Sequence, residues 1–251
     1  MDRRIGAQLY TVRDSIQTIE DFDKSCKKIK DIGYQLVQIS GTPLAAEDMK
    51  PVIDKYGLKV VVTHEDYEVF RDDPERIIAY NKTLGCDLCG IGYLPKEYRK
   101  NIGSVIDGIN RAAEKLQKEG MYLGYHNHAF EFFRKNGKFL MDYLIEETDP
   151  EAVKLIADLY WLQYGGMDPE RFIRKLGART MAVHLKDLKV NLNNHIEMAE
   201  IGEGNLDWDG ILKACDEAGV KWALVEQDEC QRDPFESLKI SYDYLAAKGF
   251  R

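Results

Sequence analysis

The sequence has no run approaching the roughly 18 consecutive apolar residues that span a bilayer, so no membrane-spanning helix and no membrane partner are expected. It has no excess of positive charge. Its 35 Lys and Arg face 43 Asp and Glu, and a formal charge of -8 repels a phosphate backbone, which argues against nucleic acid as a partner. The densest basic stretch, KSCKKIK at 24–30, spaces Cys26 and Ile29 helically and reads as the wet face of a helix. Cysteine is scarce and odd in number: Cys26, Cys86, Cys89, Cys215 and Cys230. Cys86 and Cys89 have CxxC spacing, but no second pair completes a four-thiolate zinc site, so they read as small buried residues. With no signal-like apolar segment at its start, the chain is expected in a reducing cytoplasm. The first turn, AQLYTVRDS, contains no GxGxxG, which weakens a dinucleotide-binding reading. Nor is there a linker or low-complexity segment, so residues 1–251 are expected to form one domain.

What the chain does have is one unit repeated eight times. Short β-rich runs at 5–12, 36–39, 58–63, 87–91, 121–125, 152–157, 180–185 and 221–226 alternate with longer amphipathic stretches. After the first run, Ile19, Phe22, Cys26, Ile29 and Ile32 recur at steps of three or four, the period of a helix with one buried face. Asp73, Asp149, Asp168 and Asp233 each precede a proline, placing a capping side chain before a residue suited to the first helical position. Gly33, Gly57, Gly85 and Gly120 sit where helices would stop. Eight strand-then-helix units define an α/β chain and predict a single (β/α)8 TIM barrel.

In such a barrel the chemistry collects at the carboxyl ends of the strands. Those ends carry Gln8, Tyr10, Gln38, Ser40, Thr63, His64, His126, His128, Glu131, Asp158, His184, Lys186, Glu226 and Asp228. Glu131 comes after the fifth strand, Asp158 ends the sixth, His184 lies near the end of the seventh and Glu226 ends the eighth. They form a hard, oxygen-rich donor set suited to one divalent cation, Mn²⁺ or Mg²⁺, with Co²⁺ or Zn²⁺ as alternatives and Mn²⁺ the first choice. Each has a plainer reading: a loop hydrogen-bonder for Asp158, a satisfied core histidine for His184, a structural ion pair for Glu226. Glu131 lies beyond its strand in LGYHNHAFEF (123–132), which leaves His126 and His128 as competing inward donors.

At this point IGAQLYTVRD (5–14), GYHNHAFEF (124–132), DLYWLQYGGMDP (158–169), VHLKD (183–187), IGEGNLDW (201–208) and VEQDE (225–229) carry a resemblance. The chain resembles the xylose isomerase-like barrel superfamily, in particular its sugar phosphate isomerase/epimerase group with ketose 3-epimerases and inosose dehydratases. That resemblance implies one divalent cation held by Glu131, Asp158, His184 and Glu226, a small sugar or cyclitol substrate, and a homo-oligomer. Where the ketose epimerases have a histidine three residues after the aspartate, this chain has Trp161.

The implied chemistry is removal of a proton next to a carbonyl. For an isomerase or epimerase, Glu131 and Glu226 would work on opposite faces of a ketose. For an inosose-type dehydratase, the alternative, His128 or Lys186 would supply the acid that releases water. Gln8, Tyr10, His64, His126, Trp161 and Lys186 are the expected substrate-binding residues, Tyr10 and Trp161 as walls against one ring face. Asp187 is positioned by sequence to orient Lys186, and His195 reads as surface.

Overall fold

A computed structural model describes residues 1–251. Eight strands close a barrel: β1 (Gly6–Gln8), β2 (Leu36–Ile39), β3 (Lys59–Glu65), β4 (Leu88–Ile91), β5 (Tyr122–His126), β6 (Val153–Asp158), β7 (Thr180–Leu185) and β8 (Trp222–Val225). Every neighbouring pair is parallel, including β8 back to β1. Helices α1 (Ile19–Ile32), α2 (Ala46–Lys55), α3 (Tyr67–Asp72), α4 (Pro74–Leu84), α5 (Ile102–Lys118), α6 (Leu140–Glu147), α7 (Leu159–Tyr164), α8 (Pro169–Leu176), α9 (Trp208–Ala218) and α10 (Pro234–Ala247) surround it. This is the (β/α)8 barrel that the repeat predicts. No helix is long and apolar enough to cross a membrane.

Strand alternation sorts the side chains into two cores. Those facing outward, such as Val37, Cys89, Leu123, Leu155, Val183 and Val225, pack beneath the helices. Leu36, Val62, Leu88, Ile156, Ala182 and Leu224 fill the barrel interior. A step of two along a strand returns to the same face, so these six inner residues place Gln38, His64, Gly90, Asp158, His184 and Glu226 on the interior face at the carboxyl end. On β5 the inward position is Gly124, where a Cβ would stand 2.6 Å from Ile156 Cδ1. Two residues further on is His126.

Three of the four predicted Asp-Pro caps form as expected. Asp73, Asp168 and Asp233 accept from the backbone N–H groups of Arg76 (3.2 Å), Arg171 (2.9 Å) and Phe235 (2.9 Å). Asp149 does not cap a helix. Its carboxylate accepts from Glu151 N at 2.9 Å and shapes a turn that leads directly into β6. The first strand is also shorter than 5–12: Gln8 Oε1 accepts from Tyr10 N, and the chain turns into a 3₁₀ segment, Leu9–Ser15.

The longest departure from the simple repeat follows β7. An antiparallel hairpin pairs Asp187–Val190 with Ile196–Ala199 and leads into the 201–208 loop. Asp187, fully buried, organises that loop. Its two oxygens accept from the N–H groups of Leu188, Gly202, Gly204 and Leu206 and from Trp208 Nε1. Asp187 is therefore committed to the loop and does not orient Lys186. His195 is exposed near the hairpin turn, as expected.

Candidate metal centre

Four of the interior-facing strand ends meet at one point. Ligand atoms of His126, Asp158, His184 and Glu226 all lie within 4.8 Å of one another, and all four residues are buried. His184 Nδ1 stands 2.8 Å from Glu226 Oε2 and 3.8 Å from Asp158 Oδ2, while His126 Nε2 stands 3.3 Å from Asp158 Oδ2. The pairing of Asp158 with His184 across β6 and β7 fixes two of the four side by side.

The neighbours of these side chains decide which atoms are free. His126 Nδ1 is 3.0 Å from the carbonyl of Gly92, and His184 Nε2 is 2.8 Å from Gln38 Oε1. Both partners are oxygen acceptors, so those nitrogens carry the protons and the opposite ring nitrogens face the carboxylates. Two imidazole nitrogens and two carboxylates thus bring four potential ligand atoms to one buried point, where a divalent cation would replace the His184 proton and share the carboxylate charge with Lys186. His184 Nδ1 is buried without a hydrogen bond of acceptable geometry. Asp158 divides its oxygens: Oδ1 accepts from Trp161 N at 3.0 Å, capping α7, and Oδ2 faces the cluster. Asn127 holds the same aspartate by its main chain, with Oδ1 accepting from Asp158 N at 3.0 Å. Donors around one first-row cation stand ~2.0–2.2 Å from it, so the widest spacing here needs a side-chain adjustment of a few tenths of an ångström to close on one ion. The four residues form a site for a divalent metal ion.

Glu131 is not among them, and this corrects the expected donor set. It lies in a 3₁₀ turn, Phe130–Phe132, beyond the end of β5. Both its oxygens are engaged there, accepting from Tyr125 Oη at 2.9 Å and from His128 N at 2.9 Å. Burial pushes its pKa up to about 7, against the pull of those hydrogen bonds. His126 takes the strand-five place in the cluster.

Lys186, one step of two beyond His184, is the fixed cation of the site. Its Nζ lies 3.2 Å from Asp158 Oδ2, 3.2 Å from Glu226 Oε2 and 2.8 Å from both oxygens of Asp228. Burial works against its charge, but these three carboxylates outweigh it and hold the ammonium well above its ordinary pKa. In return Lys186 and the imidazoles keep Asp158 and Glu226 well below the carboxylate range despite burial. For His184 burial is again the opposing influence, and Glu226 and Asp158 raise it to about 9.

Above the cluster opens a cavity of about 990 Å³. His64, His126, His128, Trp161 and Lys186 line it, and Tyr10 stands in its wall, so five expected substrate-binding residues and the expected acid His128 share one space. Gln8 is the exception: it is fully buried and bound to its own turn, and it does not reach the cavity wall. Four of the five histidines gather here, with ring centroids of His126 lying 5.0 Å from His64, 4.8 Å from His128 and 4.6 Å from His184. Burial and the neighbouring imidazole of His126 push His128 down to about 3 and lower His64 well below its usual value. The direction of these shifts favours a neutral His128 ring, and Lys186 is the group held protonated.

Sequence reading gave no role to Asn127, Gly92, Gln38 or Asp228. The signal for Gln38 was available in the alternation of β2, whereas Gly92 acts through its carbonyl, which no sequence pattern marks. Cys86 and Cys89 are buried, and burial pushes the Cys86 thiol up to about 12, in keeping with packing residues.

The chain belongs to a known class, the xylose isomerase-like TIM barrel family, whose model matches residues 26–248. Among curated proteins it is similar to an inosose dehydratase of Geobacillus thermodenitrificans (strain NG80-2), at 31% identity over 158 residues, 56% of this chain and 52% of that one. The chain thus spans about half the length of the curated relatives it matches. Two solved structures, each described as a sugar phosphate isomerase/epimerase from Parabacteroides distasonis ATCC 8503, align with it. One has a TM-score of 0.83 at 23% identity, covering 100% of this chain and 96% of the other. The second has a TM-score of 0.78 at 25% identity and covers 97% of each.

Proposed function

We propose that the protein is a divalent-metal-dependent enzyme that removes a proton next to the carbonyl of an unphosphorylated keto-sugar or keto-cyclitol. The observation that carries this reading is the convergence of His126, Asp158, His184 and Glu226 with the Lys186 ammonium at the floor of one cavity. Mn²⁺ is the preferred ion, because a mixed set of two imidazoles and two carboxylates suits it, with Mg²⁺, Co²⁺ and Zn²⁺ as alternatives. A divalent cation bound there supplies Lewis-acid stabilisation of the negative charge that develops on the substrate oxygen when the carbon acid ionises.

The chain's own residues do the rest. Asp228 lines the cavity and burial raises its carboxyl above the ordinary value, which suits it to accept the proton from the substrate carbon, while the neutral His128 ring forms part of the wall. Lys186, held by Asp228, donates to oxygen. Trp161 supplies an apolar wall, its ring centroid 5.6 Å from Lys186 Nζ and 5.4 Å from the His128 ring. Glu131 acts as a positioning residue through the His128 main chain. Glu65, Asp66, Glu226, Asp228 and Glu229 outnumber Arg13 and Lys186 in the lining, which disfavours a phosphorylated substrate.

Two outcomes branch from the shared proton removal. Returning the proton to carbon gives an isomerase or epimerase. Donating one from Lys186 to a departing β-hydroxyl gives a dehydratase, and the displacement of Glu131 from the cluster favours this branch, because no second glutamate faces Glu226. The similarity to inosose dehydratases supports it as well. Incubating the Mn²⁺-loaded protein with ketoses and inososes in D₂O tests the reading. Loss of one water marks a dehydratase, and deuterium gain at unchanged heavy-atom composition marks an isomerase or epimerase. Absence of both across the panel would contradict the proposal.

A further inference from the structure

The metal-binding floor occupies only the deep end of the cavity. His126, Asp158, His184 and Glu226 are at most 5% exposed, while the space above them extends the cavity to about 990 Å³. That volume stands at the top of the ~300–1,000 Å³ range of sites that enclose drug-sized ligands. A single keto-sugar or cyclitol ring is far smaller than such a ligand and leaves the outer part unfilled.

The outer part is lined in a particular way. Tyr10 and Tyr93 both stand in the cavity wall and are 36% and 45% exposed. Each ring has a guanidinium over it, Arg13, itself in the cavity wall, at 4.6 Å from the Tyr10 centroid and Arg99 at 5.0 Å from that of Tyr93. Tyr93 also meets the His128 ring edge-on at 5.4 Å. Tyr10 lies against Gly41, where a Cβ would come within 2.8 Å of the ring, so a glycine makes room for it. Cation–π contact holds both rings in place. Their exposed area is apolar surface left in water inside a concave site, and a ligand that covers it gains hydrophobic burial. Glu65, Asp66 and Glu229 line the same cavity and present carboxylate acceptors to hydroxyl groups. Aromatic faces beside hydroxyl acceptors match the two aspects of a pyranose, its C–H face and its hydroxyl rim.

We propose that the outer end of the cavity is a second sugar-ring site, and that the substrate is a glycoside whose keto-bearing ring lies at the metal floor while its second ring stacks on Tyr93, with Tyr10 elsewhere in the same wall. This inference rests on the carbohydrate reading above and extends it from one ring to two.

Calorimetric titration of the Mn²⁺-loaded protein with glucose and myo-inositol, and with cellobiose, maltose and trehalose, tests it with unreactive probes that lack the keto group. At least one disaccharide is expected to bind ten-fold or more tightly than either single ring, and Tyr93→Ala is expected to bring that ratio towards one. Single rings binding as tightly as every disaccharide would overturn the second site while leaving the one-ring reading in place. So would a two-ring advantage that survives Tyr93→Ala. Failure of every probe to bind would remove the carbohydrate reading and the second site together.

Discussion

Each imidazole of the metal centre presents one nitrogen to the carboxylates because its other nitrogen is engaged, His126 by Gly92 and His184 by Gln38. Outer partners of this kind typically contribute 10–100-fold to metal affinity. Gln38→Leu removes the acceptor for His184 Nε2 and should weaken Mn²⁺ binding by about that factor, read by calorimetric titration, with the barrel still folded by circular dichroism. Unchanged affinity would show that Gln38 does not set the His184 ring. Glu131 makes the opposite case. Glu131→Ala strands Tyr125 Oη and His128 N in a buried place, and the unfolding free energy should fall by roughly 2–4 kcal/mol in urea denaturation. A loss under 1 kcal/mol would mean that the turn at Phe130–Phe132 reorganises without it.

At the level of elements, short polar links join strands to the helices and loops that follow. Asp168→Ala removes the cap of α8 and should cost about 1 kcal/mol. Asp187→Ala leaves five donors without their acceptor and should cost more, with the 201–208 loop gaining amide hydrogen exchange before the barrel strands do. Equal protection of that loop in both proteins would contradict its dependence on Asp187. The barrel was legible in the sequence because strand runs, helical periodicity and three Asp-Pro caps agreed. Asp149 looked like a fourth cap, but the same Asp-Pro pair also suits a turn, and local sequence does not distinguish the two. Asp158, His184 and Glu226 were legible because each lies at the carboxyl end of a strand. His126 was passed over for Glu131 because residue type was weighed above alternation. A step of two from Gly124 points His126 inward, and no count along a strand reaches Glu131, which lies past its end.

For the molecule as a whole, charge sets the pH response and the metal sets the stability. Glu131 titrates at about 7 in the fold against an ordinary 4.5, chiefly through burial. The folded state therefore holds this proton more tightly than the unfolded chain. The resulting stability is fully present below about 4.5 and is lost as the pH rises through about 7. Glu131→Gln keeps a neutral side chain at every pH, so its unfolding free energy should decline less over that window, by an amount on the order of 3 kcal/mol. Parallel pH profiles for the two proteins would contradict the assignment. A bound cation should also raise the melting temperature. At a hundred times its dissociation constant it contributes about 2.7 kcal/mol, or roughly 5–10 °C for a chain of this size. Chelation should reverse that rise.

The identity of the fourth ligand, His126 and not Glu131, defines the metal site formed with Asp158, His184 and Glu226. Its most direct test is Mn²⁺ titration calorimetry of His126→Gln beside Glu131→Gln. Glu131→Gln should keep one-to-one binding within a few-fold of the natural chain, while His126→Gln should lose more than the ~10–100-fold that an outer partner contributes. Retained binding in His126→Gln together with its loss in Glu131→Gln would contradict the account and return the strand-five position to the glutamate.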